Sequence, residues 1–375
     1  MPTERARTAS RPGAADCGCL LIADISGYTD YLVASPLEHA EDVLADVTAT
    51  VVGLLQPVFQ LNKLEGDAAF CYALEGELDA SMLLDTIEEC YFAFRTRLRG
   101  IEHSTSCTCP ACAKLPVLNL KFIVHYGDFI RRSAASGEEL TGQDVILVHR
   151  LLKNSVAETL GLSAYALFTD ACVEALGMSP AGLGLLPHRE TYGDIGETGV
   201  QVEDLERRWT EEKERRRTFV PRGEAAFEIE TLLPAEPAVV WEWLTAPARR
   251  MLWQGNKIDE TSSGGRRGAG TTSFCVDGRS EIYEEILDWR PFQYFTERNT
   301  LRGSVKLVVT TELEAAPDGT RVRTRGGRLE GKDRLLWLAL GPQIRRRERE
   351  RYRRLADLLA QPGPRFATPT RLPVL

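Results

Sequence analysis

The chain has 375 residues, 43% of them apolar and 27% charged, with a formal net charge of −8. That balance fits folded globular protein, is long enough for two domains, and argues against a general nucleic-acid binder, which would carry a basic surface. Nine cysteines and no apolar run of membrane-spanning length point to reduced thiols or metal ligands rather than a disulfide framework, and to a cytoplasmic setting with no transmembrane segment.

Residues 1–15 are polar, lack an apolar core, and read as a disordered tail rather than a secretory signal. Leu21-Ile22-Ala23-Asp24-Ile25-Ser26-Gly27 reads as an apolar strand turning at an aspartate. Residues 36–60 then carry Ala40, Val43, Leu44, Val47, Val51, Leu54 and Leu55 at helical spacing. Lys63-Leu64-Glu65-Gly66-Asp67-Ala68-Ala69-Phe70 repeats the strand-and-aspartate pattern. Two aspartates delivered by neighbouring strands suit a hard cation that also holds substrate phosphates.

Residues 78–99 read as a second helix. A segment with His103, Cys107, Cys109 and Cys112 follows. One histidine and three cysteines so close can close a Zn²⁺ site, to which Cys17 or Cys19 can add a ligand. The bland alternative is a redox-sensitive cysteine loop. Residues 118–125 read as a buried strand, and His125 on it as a core-packed histidine. Residues 144–160 read as one helix, and Ala166 to Asp170 as a strand running into a turn. Cys71, Cys90, Cys172 and Cys275 stand among apolar residues as buried small hydrophobes.

The run Arg207-Arg208-Trp209-Thr210-Glu211-Glu212-Lys213-Glu214 and its continuation to residue 222 reads as a charged linker. The rhythm then changes. A strand at 226–233 precedes a helix at 237–244 opened by Pro237. Strands are expected at 271–276, 279–289, 292–298, 304–315 and 320–326, with a turn at Pro317-Asp318-Gly319. A long helix over 342–360 follows, with Ile344, Tyr352, Leu355, Leu358 and Leu359 facing a sheet. Residues 362–375 read as a tail.

Three ordered blocks in the first half resemble the class III adenylate/guanylate cyclase domain: the Asp24 segment, the Asp67 segment, and Val124 to Gly127 followed by Thr141 to Leu151. The resemblance covers residues 16–206, with the cysteine-rich insert at 103–112. It implies a ferredoxin-like α/β sandwich and a homodimer that cyclises a nucleoside triphosphate. It also implies two Mg²⁺ or Mn²⁺ ions on Asp24, Asp67 and the Ile25 carbonyl. Arg150 matches the arginine that stabilises the transferred phosphoryl group. Lys63 matches a base-reading lysine, although an exposed strand-end lysine is an equal reading. The second base-reading position falls at Glu139 or Thr141.

The departures are as informative. Ile146 stands where the family places a ribose-positioning asparagine, and no lysine stands near Asp194-Ile195-Gly196 for the late phosphate contact. An inactive nucleotide-binding or regulatory module is therefore the alternative to a cyclase. Residues 223–361 resemble the START-like (SRPBCC, polyketide-cyclase-type) helix-grip fold in element order. That implies an α+β chain of two domains, the second with an apolar cavity for a hydrophobic small molecule or lipid. Trp241, Trp243, Trp253, Trp289, Phe292, Tyr294 and Phe295 are candidates to line it, or plain core.

Overall fold

The computed structural model describes the backbone of residues 15–33, 37–104, 115–134, 137–193, 195–277, 280–301, 305–329 and 331–361. His103, Cys107, Cys109 and Cys112, the candidate zinc ligands, lie outside the described side chains, as do both tails. The chain is α+β and divides into two compact units. The first holds residues up to Leu78, Cys90–Pro180 and Gly184–Trp209; the second holds Asp79–Glu89, Ala181–Leu183 and the chain from Thr210 onward.

The first unit is built on an eight-stranded sheet. Its strands are β1 (Asp16–Ser26), β2 (Gln60–Glu65), β3 (Ala68–Leu74), β4 (Asn119–Ala134), β5 (Gly137–Thr141), β6 (Tyr165–Thr169), β7 (Leu186–Tyr192) and β8 (Gly196–Asp204). The spatial order is β2-β3-β1-β4-β6-β8-β7, with β5 paired to β4. The β4–β6 pair is parallel, and the other described pairs are antiparallel.

Period-two alternation sorts the central strands. Leu20, Ile22, Phe70, Tyr72, Ile123 and Leu167 share one apolar cluster with Val145, Val148 and Leu151. Helix α1 spans Tyr28–Val33, and α2 (Leu37–Leu55) buries Ala40, Leu44, Val47, Val51 and Leu55, the stripe expected from the sequence. Cys90 in α3 (Ala80–Ser104) lies 3.7 Å from the Val51 carbonyl oxygen.

The helix expected over 144–160 is two helices. Helix α4 (Gln143–Arg150) runs into a short 3₁₀ turn, Leu151–Lys153, and α5 (Val156–Leu160) follows. Asn154 breaks the run with an extended backbone at ψ 166°. Its amide nitrogen donates to the Leu151 carbonyl at 2.7 Å, and its Oδ1 accepts from the Val156 N–H and the Tyr165 hydroxyl. A local side-chain partner of this kind competes with helical bonding, and periodicity alone does not reveal it.

The second unit carries a seven-stranded antiparallel sheet. Its strands are β9 (Ala225–Leu233), β10 (Lys257–Thr261), β11 (Thr272–Asp277), β12 (Ser280–Arg290), β13 (Tyr294–Leu301), β14 (Val305–Ala316) and β15 (Gly319–Gly327). They follow the order β10-β11-β12-β13-β14-β15-β9. Helices α6 (Pro237–Thr245) and α7 (Pro247–Gln254) each open on a proline at the first turn, where its missing N–H costs nothing. Helix α8 runs Gly331–Leu359, eleven residues earlier in its start than expected, and passes through Pro342. Trp241 anchors this core against Trp289, Phe292 and Phe295, with ring centroids 4.7–5.9 Å apart. The segment Leu205–Glu214, inside the expected linker, is helical. Among the described residues, no helix is long and apolar enough to cross a membrane.

Candidate functional site

Sheet register brings the two aspartates together. Asp24 on β1 stands opposite Ala68 on β3 and Lys121 on β4. Asp67 immediately precedes Ala68, in the two-residue turn that joins β2 to β3. Gly66 supplies that turn with φ 65°, a left-handed value that strains any L side chain. The Ile25 N–H lies 3.4 Å from the Asp67 carbonyl oxygen, which ties the turn to β1. Asp24 and Lys121 continue the face of Leu20, Ile22 and Ile123, so a polar pair closes one end of the apolar cluster.

Lys121 is the residue that sequence reasoning missed. Its Nζ lies 2.9 Å from Asp24 Oδ2, and each side chain is less than one-fifth exposed. The same ammonium reaches the Leu152 carbonyl at 3.3 Å. Asp67 is half-buried. Burial first, and then the Asp24 charge, raise its carboxyl above the ordinary range; Lys121 offsets only part of that. Two carboxylates beside a strand backbone make a hard-oxygen donor set, and the Asp24 charge acting on Asp67 shows that the two are close enough to share one ion. The residues present therefore fit a divalent cation, with Lys121 already competing for Asp24.

Lys63 is paired along its own strand. Its Nζ lies 2.6 Å from Glu65 Oε1, while Glu65 Oε2 meets His149 Nε2 at 3.2 Å. Burial pulls the Glu65 carboxyl upward, but Lys63 and His149 outweigh it and leave it below the usual value. His149 is further fixed by its Nδ1 at 2.7 Å from the Val145 carbonyl and by an edge contact with Phe70 at 4.8 Å. A chain of contacts therefore links Lys63 on β2 to helix α4.

Helix α4 carries Arg150 on an exposed position at its last turn. Ile146, one turn earlier, is 57% exposed. Val145, Ile146, His149, Arg150 and Lys153 line a shallow, open depression. Glu139 is exposed on β5 opposite Arg132. Within one protomer the structure brings Asp24 and Asp67 together, and Lys63 with Glu65 and His149; Arg150, Ile146 and Glu139 stand on open surface.

The start of α4 is set by a close approach. A Cβ on Gly127 would lie 2.3 Å from Asp144 Oδ2, so only glycine admits that carboxylate. Asp144 Oδ2 accepts the Asp128 N–H at 2.7 Å, and its Oδ1 lies 3.2 Å from His125 Nε2. His125 Nδ1 meets the Thr169 hydroxyl at 2.8 Å. The histidine is buried, and burial lowers its basicity despite the pull of Asp144. It braces strand to helix rather than facing a substrate.

Cys17 and Cys19, the suggested extra zinc ligands, are held as thiols. Burial first, then Asp128, push Cys17 up to about 11. Cys19 is buried against Cys172, whose hydrogen bond is the main cause of its strong upward shift. Cys71, Cys90, Cys172 and Cys275 are buried. Among the described residues no cluster of three or more His, Cys, Asp or Glu has the arrangement of a metal site.

In comparisons with known proteins, residues 44–159 match a family described as "Protein of unknown function (DUF2652)". Over 146 residues the chain is 36% identical to "Uncharacterized protein Rv2561/Rv2562" of Mycobacterium tuberculosis, a match covering 39% of this chain and 66% of that protein, just under two thirds of its length. Among solved structures, the adenylyl cyclase CyaB from P. aeruginosa aligns at 14% identity and TM-score 0.37, over 51% of this chain and 95% of that one. The guanylyl cyclase domain of the RhoGC fusion protein from Blastocladiella emersonii aligns at 10% identity and TM-score 0.34, over 51% and 97%. Protein MLL2253 from Mesorhizobium loti aligns at 18% identity and TM-score 0.32, over 36% and 98%. At these identities and scores, none of the structural likenesses assigns a role to a residue of this chain.

Proposed function

We propose that the first unit is a divergent cyclase-type domain that binds a nucleoside triphosphate with Mg²⁺ or Mn²⁺ and works as a homodimer. The observation that carries this is the convergence of Asp24 and Asp67 at one point of the sheet. A divalent cation bound there supplies neutralisation of the triphosphate and activation of the attacking hydroxyl. Asp24 and Asp67 hold the charge, with the Ile25 carbonyl as a further oxygen. Lys63, paired with Glu65 on the neighbouring strand β2, is the further ammonium offered to a base. Arg150 stands on exposed surface of α4, and a second protomer's aspartates would complete its site. Glu139 on β5 is the further polar group offered to a base.

A second reading has its own observations. Lys121 already satisfies Asp24 at 2.9 Å, and Ile146 offers no hydrogen bond where a ribose needs one. Both favour a domain that binds nucleotide without turning it over.

The second unit is read as a START-like ligand-binding module. Its strand, paired helices, antiparallel strands and long final helix follow the helix-grip order, and it holds an internal cavity. The test of the first unit is incubation of the full chain with Mn²⁺ and ATP, GTP, CTP or UTP, followed by mass spectrometry. A cyclic nucleotide lost in Asp67→Asn supports the enzyme. Nucleotide binding without product supports the second reading, and neither binding nor product removes both.

A further inference from the structure

The cavity of the second unit is not the plain apolar pocket that a lipid carrier needs. Its volume is about 130 Å³, near the roughly 150 Å³ of an apolar cavity that accepts benzene. One wall is apolar, with Phe227, Trp253, Phe295, Leu307 and Val309. The other carries charge that the expected hydrophobic ligand does not explain. Arg250, 7% exposed, donates to Glu284 at 2.7 Å. Arg351 donates to Glu348 at 2.6 Å. Three acids thus share the cavity with two guanidiniums, and each guanidinium holds its ion pair with one of them.

Glu297 on β13 is the third acid and is left over. Its Oε1 accepts only the Asn299 amide, at 3.0 Å, and no cation among the described residues pairs with it. Glu297 is partly buried and Arg250 acts on it only at a distance; a carboxyl so placed with no ion pair of its own is costly, and proteins tolerate one where a ligand or proton completes it.

We infer that this cavity binds a small amphipathic amine, its single ring or short chain against Phe227, Trp253 and Phe295 and its ammonium on the Glu297 carboxylate. The chemistry follows from the surplus acceptor: an ammonium supplies both the missing charge and N–H donors. A carboxylic acid would meet Glu297 and Glu284 as like charges. A neutral alcohol would supply one donor and no charge. This rests on the reading of the second unit as a ligand-binding module and names its ligand class.

The site also has a defined pH behaviour. Glu297 faces Glu284 on β12, Arg250 on α7, Cys275 on β11, and Glu348, Arg351 and Tyr352 on α8. Burial first, and then Glu284, push its carboxyl up to about 7, with Arg250 opposing. An ammonium ligand needs the ionised form, so its affinity rises with pH through that value.

The experiment is isothermal titration of the full chain with phenethylamine, 2-phenylethanol and phenylacetate at pH 6 and pH 8. The amine is expected to bind alone or at least tenfold tighter than the others, and severalfold tighter at pH 8 than at pH 6. Glu297→Gln keeps the shape and removes the charge, and is expected to weaken the amine at least tenfold. Phe295→Ala tests the apolar wall. Equal binding of amine and alcohol, preference for phenylacetate, or an unchanged Glu297→Gln each overturns the head-group assignment while leaving a ligand-binding module. Silence with all three probes overturns both.

Discussion

Replacing Lys121 by methionine tests the logic of the aspartate pair directly. The substitution keeps most of the side chain's length and apolar stem but removes the ammonium 2.9 Å from Asp24 Oδ2. At an effective dielectric near 20, a charge pair at that distance attracts by roughly 6 kcal/mol in gross terms. Desolvation of both ends takes back most of this. Fully buried pairs cost about 3–5 kcal/mol when one partner is removed, and exposed pairs less than about 1. With both groups less than one-fifth exposed, Lys121→Met is expected to cost about 1–3 kcal/mol in the absence of metal. The lost bond to the Leu152 carbonyl falls within that range.

The sign with metal is the sharper part. A divalent cation at Asp24 and Asp67 must compete with the ammonium in the wild type but not in the variant. Saturation at a hundredfold above Kd stabilises by about 2.7 kcal/mol. Mn²⁺ is therefore expected to stabilise Lys121→Met more than the wild type, and to bind it more tightly. Because two units can unfold separately, the readout is hydrogen exchange of the β1 and β4 amides in EDTA and in Mn²⁺. Equal protection of wild type and variant in EDTA, or an equal gain from Mn²⁺, would refute the reasoning.

Two further outcomes follow from the packing. Gly127→Ala places a methyl group against the Asp144 carboxylate and is expected to cost about 1–3 kcal/mol, with β4 and α4 losing exchange protection together; unchanged protection would show that Asp144 moves aside freely. In the second unit, burial pushes Glu89, Glu242 and Glu297 up to about 7. Each unfolded carboxyl ionises near pH 4.5 while its folded counterpart keeps its proton, so stability falls as pH rises from about 4.5 to about 7 and levels off above. Glu228 and Glu314, lowered by Arg325 and Arg323, act oppositely, but Glu314 is half in solvent and Glu228 a quarter, so both are screened. His125 in the first unit reverses the trend, since its burial keeps it neutral and its stabilisation fades below pH about 6.5. Melting curves between pH 5 and pH 8, repeated on Glu297→Gln, check the slope; an identical pH dependence in that variant would remove Glu297 from the account.

What the sequence displays is what local pattern encodes. The helical stripe of α2 and the alternation of β1 are visible because burial repeats every 3.6 or two residues. Asp24 and Asp67 stand out because each breaks an apolar strand beside a glycine. Lys121 cannot be picked out in the same way. It lies in an ordinary strand, and its meaning depends on the β1–β4 register, which places it against Asp24 rather than one residue along, where its side chain would point to the opposite face. The break at Asn154 is hidden for a related reason: its three hydrogen bonds involve both near neighbours and Tyr165 on β6.

The same distinction orders the two candidate sites. At Asp24 and Asp67, negative charge is concentrated and an internal ammonium meets part of it. At Glu297, among the described residues lining the cavity, three acids face two guanidiniums whose ion pairs go to the other two. Neither imbalance belongs to one residue's identity. Each is a difference between charges that tertiary structure assembles, and each identifies the missing group by its sign. The first site has an oxygen-rich, partly buried setting that suits a small hard cation. The second has an aromatic wall beside its charged one, which suits an organic cation whose body fills the space its charge cannot.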